Sequence, residues 1–578
     1  MKPSIKKPRK PNILLEELKE RRIAQILFCY AVGAFGFLAG VYEITSDDRI
    51  RTAALILCIT GIPVVAIAAW FHGKGGKNPV TKVEFLLITL CTLIGGGFTV
   101  KTLVVPTPIT ILIRMMDPQE RWFQENILKA FEEGNHCKVI IKRFWNEQDV
   151  IRILKSEKEG RKKSNVCLVK TPLHLTLLLY KDKFIKPYDD ILRDLDLNES
   201  EIQSWLQKVK DDYDPVALEM CSFNTITGKK LFFLPRKLET RLIIYRKSKV
   251  ADAVKDWKRF RKELNAILEK ANDYGLPRDY KLESDVNKWD YYDLLVAGYY
   301  WANTQYYGEK TARLAHRSKN YGGTVLGLID RALQLGATGE DIYDMYSFSE
   351  AIVDLFHWEA IFRKYNLYCE GMWEGDGLSG SGIYEGIAEN RVFLTWMHQL
   401  DSLLIFGSEE MGIKGFIQDR KDLGIAIMPK GVSFPLTEDG LPKRTGSRKA
   451  HTFGWFWGIP INAPEPELAL KLGQFITSHE CHLGECKNFF LIPVRKSVRN
   501  ALNAVLNTDW KAQVYRKSIE QFEINGDRMV PRFKRLDDYE EFIHDYYDAF
   551  EEIVIKMRYS SKGHEGRANR NFIRENIR

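Results

Sequence analysis

Cysteine is scarce and unpatterned in this chain of 578 residues: there are nine, and no two form a CxxC pair. That scarcity excludes a disulfide framework, a zinc ribbon and a thioredoxin-type redox motif. Cys29, Cys58 and Cys91 lie in apolar runs. Only Cys481 and Cys486 stand close together, either as a local disulfide in an oxidising compartment or as two buried thiols. The pattern GxxxxGKS/T is missing, which argues against an import ATPase in the same chain. HExxH and GxSxG are missing as well, removing the commonest zinc-protease and serine-hydrolase signatures. The glycines from Gly375 to Gly382 follow no convincing strand, so they make a poor phosphate cradle. His479 and His482 beside Cys481 and Cys486 are the densest metal-type cluster, and no metal site is expected there. Asp211-Asp212 and Asp537-Asp538 read as solvated surface, although an acid pair need not be adjacent in sequence. No catalytic residue and no cofactor is therefore expected. Short repeats and low-complexity tracts are also lacking, and ordinary glycine, proline and charge contents exclude disordered and collagenous classes.

What the chain does have is apolar length near its start. Ile23 to Tyr42 and Thr52 to Phe71 are each twenty residues without a charge. A third run from Phe85 continues past Lys101 to Val105. A helix needs about 20 residues to cross about 30 Å of hydrocarbon. The first two runs meet that length directly, and the third does so with Lys101 snorkelling to the interface. Pro63 and the triple glycine at Gly95 are ordinary in such helices. Three successive runs, with no small-x-small site before a polar start, read as an anchor and not as a cleaved signal.

The formal net charge of +9 is concentrated at the ends and in one loop. Lys2, Lys6, Lys7, Arg9, Lys10, Lys19, Arg21 and Arg22 precede the first run, and Lys74, Lys77 and Lys82 separate the second from the third. The loop after the first run balances Glu43, Asp47 and Asp48 against Arg49 and Arg51. Positive flanks face the cytoplasm, so residues 1–22 are expected inside and everything after about residue 106 outside. The basic tail from Lys556 is the one candidate for nucleic acid, and this topology puts it outside the cell, so no nucleic-acid partner is expected.

Beyond the anchor, strand and helix patterns alternate, as in a parallel sheet covered by helices. Residues 118–135 carry Trp122, Phe123, Ile127, Leu128 and Phe131 at helical spacing. Strands are expected at 138–145, 165–170, 391–397, 422–431 and 452–462, with two strand-like runs around Pro235-Arg236-Lys237 within 231–248. Pro464 opens a helix pattern that runs to Thr477.

The order of these pieces carries a resemblance. Gly228 through Leu234-Pro235 to Leu242-Ile243-Ile244-Tyr245 comes first, then Val392-Phe393-Leu394-Thr395-Trp396, then Leu423 to Pro429-Lys430-Gly431. Gly454-Trp455-Phe456-Trp457-Gly458-Ile459-Pro460-Ile461-Asn462 with its following helix, and the turn Ile492-Pro493-Val494-Arg495-Lys496, complete the series. Residues 118–500 resemble the extracellular solute-binding proteins of ABC importers, in particular the maltose-binding-like group. The resemblance implies an α/β, periplasmic-binding-protein-like type II fold, with two lobes and a hinge, preceded here by three transmembrane helices. It divides the chain into a basic cytoplasmic segment 1–22, a membrane anchor 23–105, a two-lobed binding domain 106–500, and a helical extension with a basic tail, 501–578. Lobe one is expected to hold 118–235 and 395–450, and lobe two 240–390 and much of 455–500. It further implies a bacterial cytoplasmic (inner) membrane with the large domain outside. A small-molecule solute, such as an oligosaccharide, and an ABC permease are the implied partners.

The same resemblance nominates Arg236, Lys237 and Glu239 at the first lobe crossing. It places Trp396 and Asp401 at the second, and Trp455 and Trp457 at the third. Aromatic faces suit sugar rings, and Arg and Glu supply charge-assisted hydrogen bonds. Trp455 and Trp457 either touch ligand or pack in the core. Arg236 and Glu239 either touch ligand or form a surface ion pair. Trp373 joins the candidates because it sits in a glycine-rich loop.

Overall fold

The computed structural model describes residues 23–44, 48–72, 81–104, 106–161, 165–304, 312–345, 349–373, 375–409, 411–417, 420–505, 510–527 and 531–557. The basic N-terminus, Lys74 and Lys77, the side chain of Lys101 and the tail beyond Met557 lie outside the described residues. The chain divides into two compact units, the first holding Met1–Pro108 and Asn135–Lys138 and the second Ile109–Gly134 and Val139–Arg578.

The first unit holds three helices, α1 (Ile23–Ile44), α2 (Asp48–His72) and α3 (Lys82–Val104). Each is long and apolar enough to cross a membrane. Their outward residues are large and hydrophobic: Phe28, Phe35, Leu57, Phe85 and Leu93 are exposed. Small residues bring the helices together. A Cβ at Gly61 would meet the Tyr30 hydroxyl at 1.9 Å, and one at Gly95 would meet Thr60 Oγ1 at 2.5 Å. The Tyr30 hydroxyl donates to the carbonyl of Cys58 at 2.7 Å, tying α1 to α2.

The second unit is built on two main sheets. Its strands, in chain order, are β1 (Thr107–Ile113), β2 (Cys137–Arg143), β3 (Val166–Pro172), β4 (Ile185–Lys186), β5 (Ser222–Thr225), β6 (Gly228–Leu231), β7 (Phe233–Glu239), β8 (Arg241–Arg246), β9 (Arg313–Ala315), β10 (Val392–His398), β11 (Leu423–Ala426) and β12 (Phe453–Pro460). Sheet one runs β2-β1-β3-β12-β4, with β7 also paired to β12. Sheet two runs β11-β8-β10-β9. β1 and β3 are parallel, whereas β12 runs antiparallel to β3 and β7. Every residue of β3 and of β7 is buried, because helices cover both faces of sheet one. One of these covers is the helix Pro466–Ile476, which opens on proline and buries Ala469, Leu470, Leu472 and Ile476.

Each sheet is the centre of one lobe. The first crossing is the single residue Thr240, between β7 and β8. The second is Ala450-His451-Thr452, entering β12. This reverses the expected allocation of the later strands: β10 and β11 hydrogen-bond with β8 in lobe two, and β12 joins β3 and β7 in lobe one. These strands are almost wholly buried, so no polar face distinguishes the sheet each one enters.

Two local departures have physical causes. The two strand-like runs of 231–248 break at Thr240 and not at Pro235-Arg236-Lys237. Pro235 is accommodated inside β7 because the pairing skips Arg236, with Trp455 opposite Lys237 and Phe456 opposite Pro235. A bulge of this kind tolerates proline and re-aims the extra side chain. The helix expected at 118–135 is present, with a π-helical turn at Gln124–Leu128. The described residues between 501 and 557 pack as part of the binding unit. The helix Trp510–Asn525 lies on β8 and β11. Phe542, Tyr546, Phe550 and Val554 of the last helical segment join the main hydrophobic core.

Candidate functional site

The carboxyl ends of β1 and β3 meet the hinge strands at the junction of the lobes. A cavity of about 260 Å³ lies there. Lobe one contributes Arg114 and Met115 after β1, Lys170 near the end of β3, Lys237 and Glu239 on β7, and Trp455 on β12. Lobe two contributes Arg317 after β9, and His398 and Asp401 around the end of β10. Open α/β sheets place ligands at the carboxyl ends of strands, because loops and free backbone groups converge there.

The wall is mostly charged and mostly paired. The Lys237 ammonium donates to the Glu239 carboxylate, with both side chains buried. Burial raises the Glu239 carboxyl, but Lys237, Lys170 and Arg236 outweigh it and hold it below the usual range. Arg317 Nη2 donates to Asp401 at 2.8 Å, and the Tyr384 hydroxyl donates to the other Asp401 oxygen at 2.9 Å. Lys170 Nζ donates to the Arg114 carbonyl at 2.5 Å and lies 4.2 Å from the centre of the Trp455 ring. Burial, reinforced by Arg236 and Lys237, pushes the Lys170 ammonium well down. Burial also pushes His398 well down, with Arg241 and Arg317 acting in the same direction. Among the described residues, its Nδ1 has no hydrogen-bond partner.

The cavity gathers three of the nominated residues, Glu239, Asp401 and Trp455, together with Lys237. The other four are elsewhere. Arg236 is 1 % exposed and forms an ion pair with Glu485 inside lobe one, so it is neither a surface pair nor a cleft wall. Trp457 is fully buried, stacked on Phe123 at 6.1 Å, because two residues along β12 carry it from the cleft rim into the sheet's core. Trp396 packs between His316 and Arg331, whose guanidinium is 3.9 Å from its ring centre, and β10 makes no lobe crossing. Trp373 lines a separate cavity of about 270 Å³ with Ser318, Asp376 and Tyr547. Cys481 and Cys486 are free thiols. Among the described residues, no cluster of His, Cys, Asp and Glu is arranged to hold a metal ion.

Sequence reasoning missed Arg114, Lys170, Arg317 and His398. The available signal was a charged residue at the end of an apolar run, as in ITILIR and VCLVK.

The hinge is tied by buried amides. Asn525 Nδ2 donates to Thr240 Oγ1 at 2.8 Å, and Asn525 Oδ1 accepts from the Ala450 N–H at 2.9 Å. Asp330 holds the same two crossings from lobe two, through Arg241 at 3.2 Å and His451 Nδ1 at 2.7 Å. The C-terminal helix Leu536–Phe550 then bridges the lobes. Its Tyr539 ring stacks on His174 of lobe one at 4.3 Å, and Glu540 accepts from Gln148 at 2.7 Å. Its Tyr546 and Tyr547 hydroxyls donate to the carbonyls of Ile342 and Ser318 in lobe two.

No protein-family model matches the chain. No curated protein matches it either. Solved structures do. Maltose-bound MalE3 of T. maritima superposes with a TM-score of 0.54 at 14 % identity, over 82 % of this chain and 99 % of that one. An ABC transporter solute-binding protein of Thermotoga lettingae, bound with α-D-tagatose, gives 0.53 at 15 % identity, over 82 % and 98 %. The fold is that of a type II periplasmic binding protein. The GacH receptor of Streptomyces glaucescens, solved unliganded and with acarbose, gives 0.52 at 12 % identity over the same shares, 82 % and 98 %. The two sheets, the single-residue crossing at Thr240 and the cavity between the lobes are this fold's arrangement in the present chain. Three long apolar helices precede it.

Proposed function

We propose that the protein is a membrane-anchored, extracytoplasmic receptor that binds a small polar solute, carbohydrate-like in its hydroxyl content, for ABC-type import. It acts as a binding module and not as an enzyme. The observation that carries this reading is the interlobe cavity, whose walls come from both lobes and end in Glu239, Asp401 and Trp455. A ligand touching both walls favours the closed lobes over the open ones, and closure removes it from water and offers a permease a new surface. Maltose, tagatose and acarbose in the matched proteins support a sugar-like ligand.

In this arrangement residues 1–22 lie in the cytoplasm and 23–105 form the anchor in a bacterial inner membrane. The binding domain stands outside, with the helices after residue 501 completing it. The charge bias of the flanks and the odd number of candidate spans support that orientation.

A sensory or structural role without transport is favoured by a different observation. The C-terminal helix ties His174 of lobe one to Ser318 and Ile342 of lobe two, so closure is coupled to a segment of the chain itself. A solute screen by thermal shift on the full-length protein in detergent tests the binding role, because a ligand of the folded state alone must raise its apparent stability. A shift with a sugar-like solute that shrinks in Trp455→Ala supports the cleft. Absence of any shift across neutral and charged sugars contradicts it. Co-purification with a permease separates import from sensing.

A further inference from the structure

We infer that the cleft selects an anion: a single-ring, polyhydroxylated solute bearing a carboxylate or a phosphate. This rests on the reading of the cleft as the ligand site and names the class of ligand it takes.

Four basic side chains line the cavity, Arg114, Lys170, Lys237 and Arg317, against two carboxylates, Glu239 and Asp401. The carboxylates are already committed, Glu239 to Lys237 and Asp401 to Arg317. Arg114 reaches Glu147 only at 3.7 Å and remains about half exposed. Lys170 is the decisive group. It is 1 % exposed, yet among the described residues it makes no ion pair, and its one hydrogen bond is to the Arg114 carbonyl. The Trp455 face beneath it offers a quadrupole and not a counter-charge.

A buried ammonium without an anion is costly, and it is tolerated where something else supplies the charge. Burial, Arg236 and Lys237 all press Lys170 toward its neutral form. An anion placed between Lys170 and Arg114 relieves both the desolvation and the repulsion. A neutral sugar leaves them in place. The His398 Nδ1 without a partner and the Trp455 ring provide the remaining polar and flat surfaces for a hydroxylated ring. Size narrows the class further. At about 260 Å³ the cavity is smaller than drug-sized ligand sites, which run from about 300 to 1,000 Å³. It suits one ring and not an oligosaccharide chain.

The test is calorimetric titration of full-length protein in detergent with glucuronate, galacturonate and glucose 6-phosphate, alongside glucose, galactose and maltose. Inorganic phosphate serves as the control for bare charge. At least one acidic sugar is expected to bind at least tenfold more tightly than its neutral counterpart and more tightly than inorganic phosphate. Lys170→Met, which keeps the aliphatic stem, is expected to remove that preference. Lys170→Gln gives a second variant, and thermal melts of both establish that they fold. Neutral sugars binding as tightly as acidic ones, with Lys170→Met unchanged, overturn the anion assignment while leaving the cleft as the site. Acidic sugars binding equally well to Lys170→Met, Glu239→Gln and Asp401→Asn place the site outside the cleft and overturn both readings, as does silence from every sugar.

Discussion

Asn525 and Thr240 are 285 residues apart in sequence and joined by a 2.8 Å hydrogen bond. Thr240 is the whole of the first lobe crossing, and Asn525 ends the helix Trp510–Asn525. The same amide accepts from Ala450 at the second crossing, so one side chain ties the first two passages between the lobes together. Replacing it with alanine leaves several buried polar groups unsatisfied, at about 1–3 kcal/mol each. Asn525→Ala is therefore expected to lower stability by about 2–4 kcal/mol in urea unfolding. A change below about 0.5 kcal/mol, the scale of an ordinary surface substitution, would mean the hinge is held elsewhere.

Trp455 and Trp457 separate binding from packing. Trp457 is fully buried, and Trp457→Ala is expected to cost about 3–5 kcal/mol of stability. Trp455 is only partly buried and lines the cavity, so Trp455→Ala is expected to weaken ligand binding about tenfold, about 1.4 kcal/mol, with a much smaller loss of stability. Melting curves and titrations on the two variants check both. Equal effects on both properties would erase the distinction.

How far this was legible follows from the same strands. The fold could be read because turns, helix starts and apolar runs occur in a recognisable order, as in the run from Gly454 to Asn462 and the helix after it. The wall of the cleft was only half readable. Glu239, Asp401 and Trp455 were named, but so were Arg236, Trp396 and Trp457, because in a fully buried strand neither polarity nor alternation marks the end that opens on the cavity. The bulge at Arg236 turns a charged residue into the core, where Glu485 meets it from 249 positions away. Nothing local announces that partner. β1 was overlooked because TPITILI follows the third apolar run directly and merges with it. Arg114 went unnoticed with it.

Acid should unfold the binding unit well above the carboxylate range. His482 is buried and held neutral, its pKa lowered to about 3, first by burial and then by Arg495 and Arg236. Its Nε2 accepts from the Val494 N–H at 3.0 Å, a bond that needs the unprotonated ring. Burial also holds His316 and His398 well below the usual value. In each case the unfolded chain binds a proton below about pH 6.5 that the folded chain refuses, so stability is full above that pH and falls as pH drops. Each group contributes a slope of up to about 1.4 kcal/mol per pH unit. Urea midpoints measured from pH 7.5 to 5 are expected to fall steadily, and less steeply in His482→Gln. A flat profile would mean these rings are not buried neutral.

The C-terminal helix is expected to restrain opening. Tyr539→Ala removes the stack on His174, a contact worth about 0.5–1.5 kcal/mol beyond its buried area. Without ligand, the variant should sample wider separations between the lobes than the parent. Hydrogen exchange in the helix Leu173–Lys181 provides an independent check, since faster exchange is expected there. Unchanged exchange and unchanged separation would make the helix a passive cover.

The most direct test of the account is the distance between the lobes. Fluorophores on the exposed positions Lys208 of lobe one and Lys270 of lobe two report it in the full-length protein. Saturating solute is expected to shorten the separation with a single binding constant, and Trp455→Ala, which removes the aromatic face of the cleft wall, is expected to shift that constant upward about tenfold. A separation that stays fixed while solute binds would contradict closure around the cleft, and with it the receptor function proposed here.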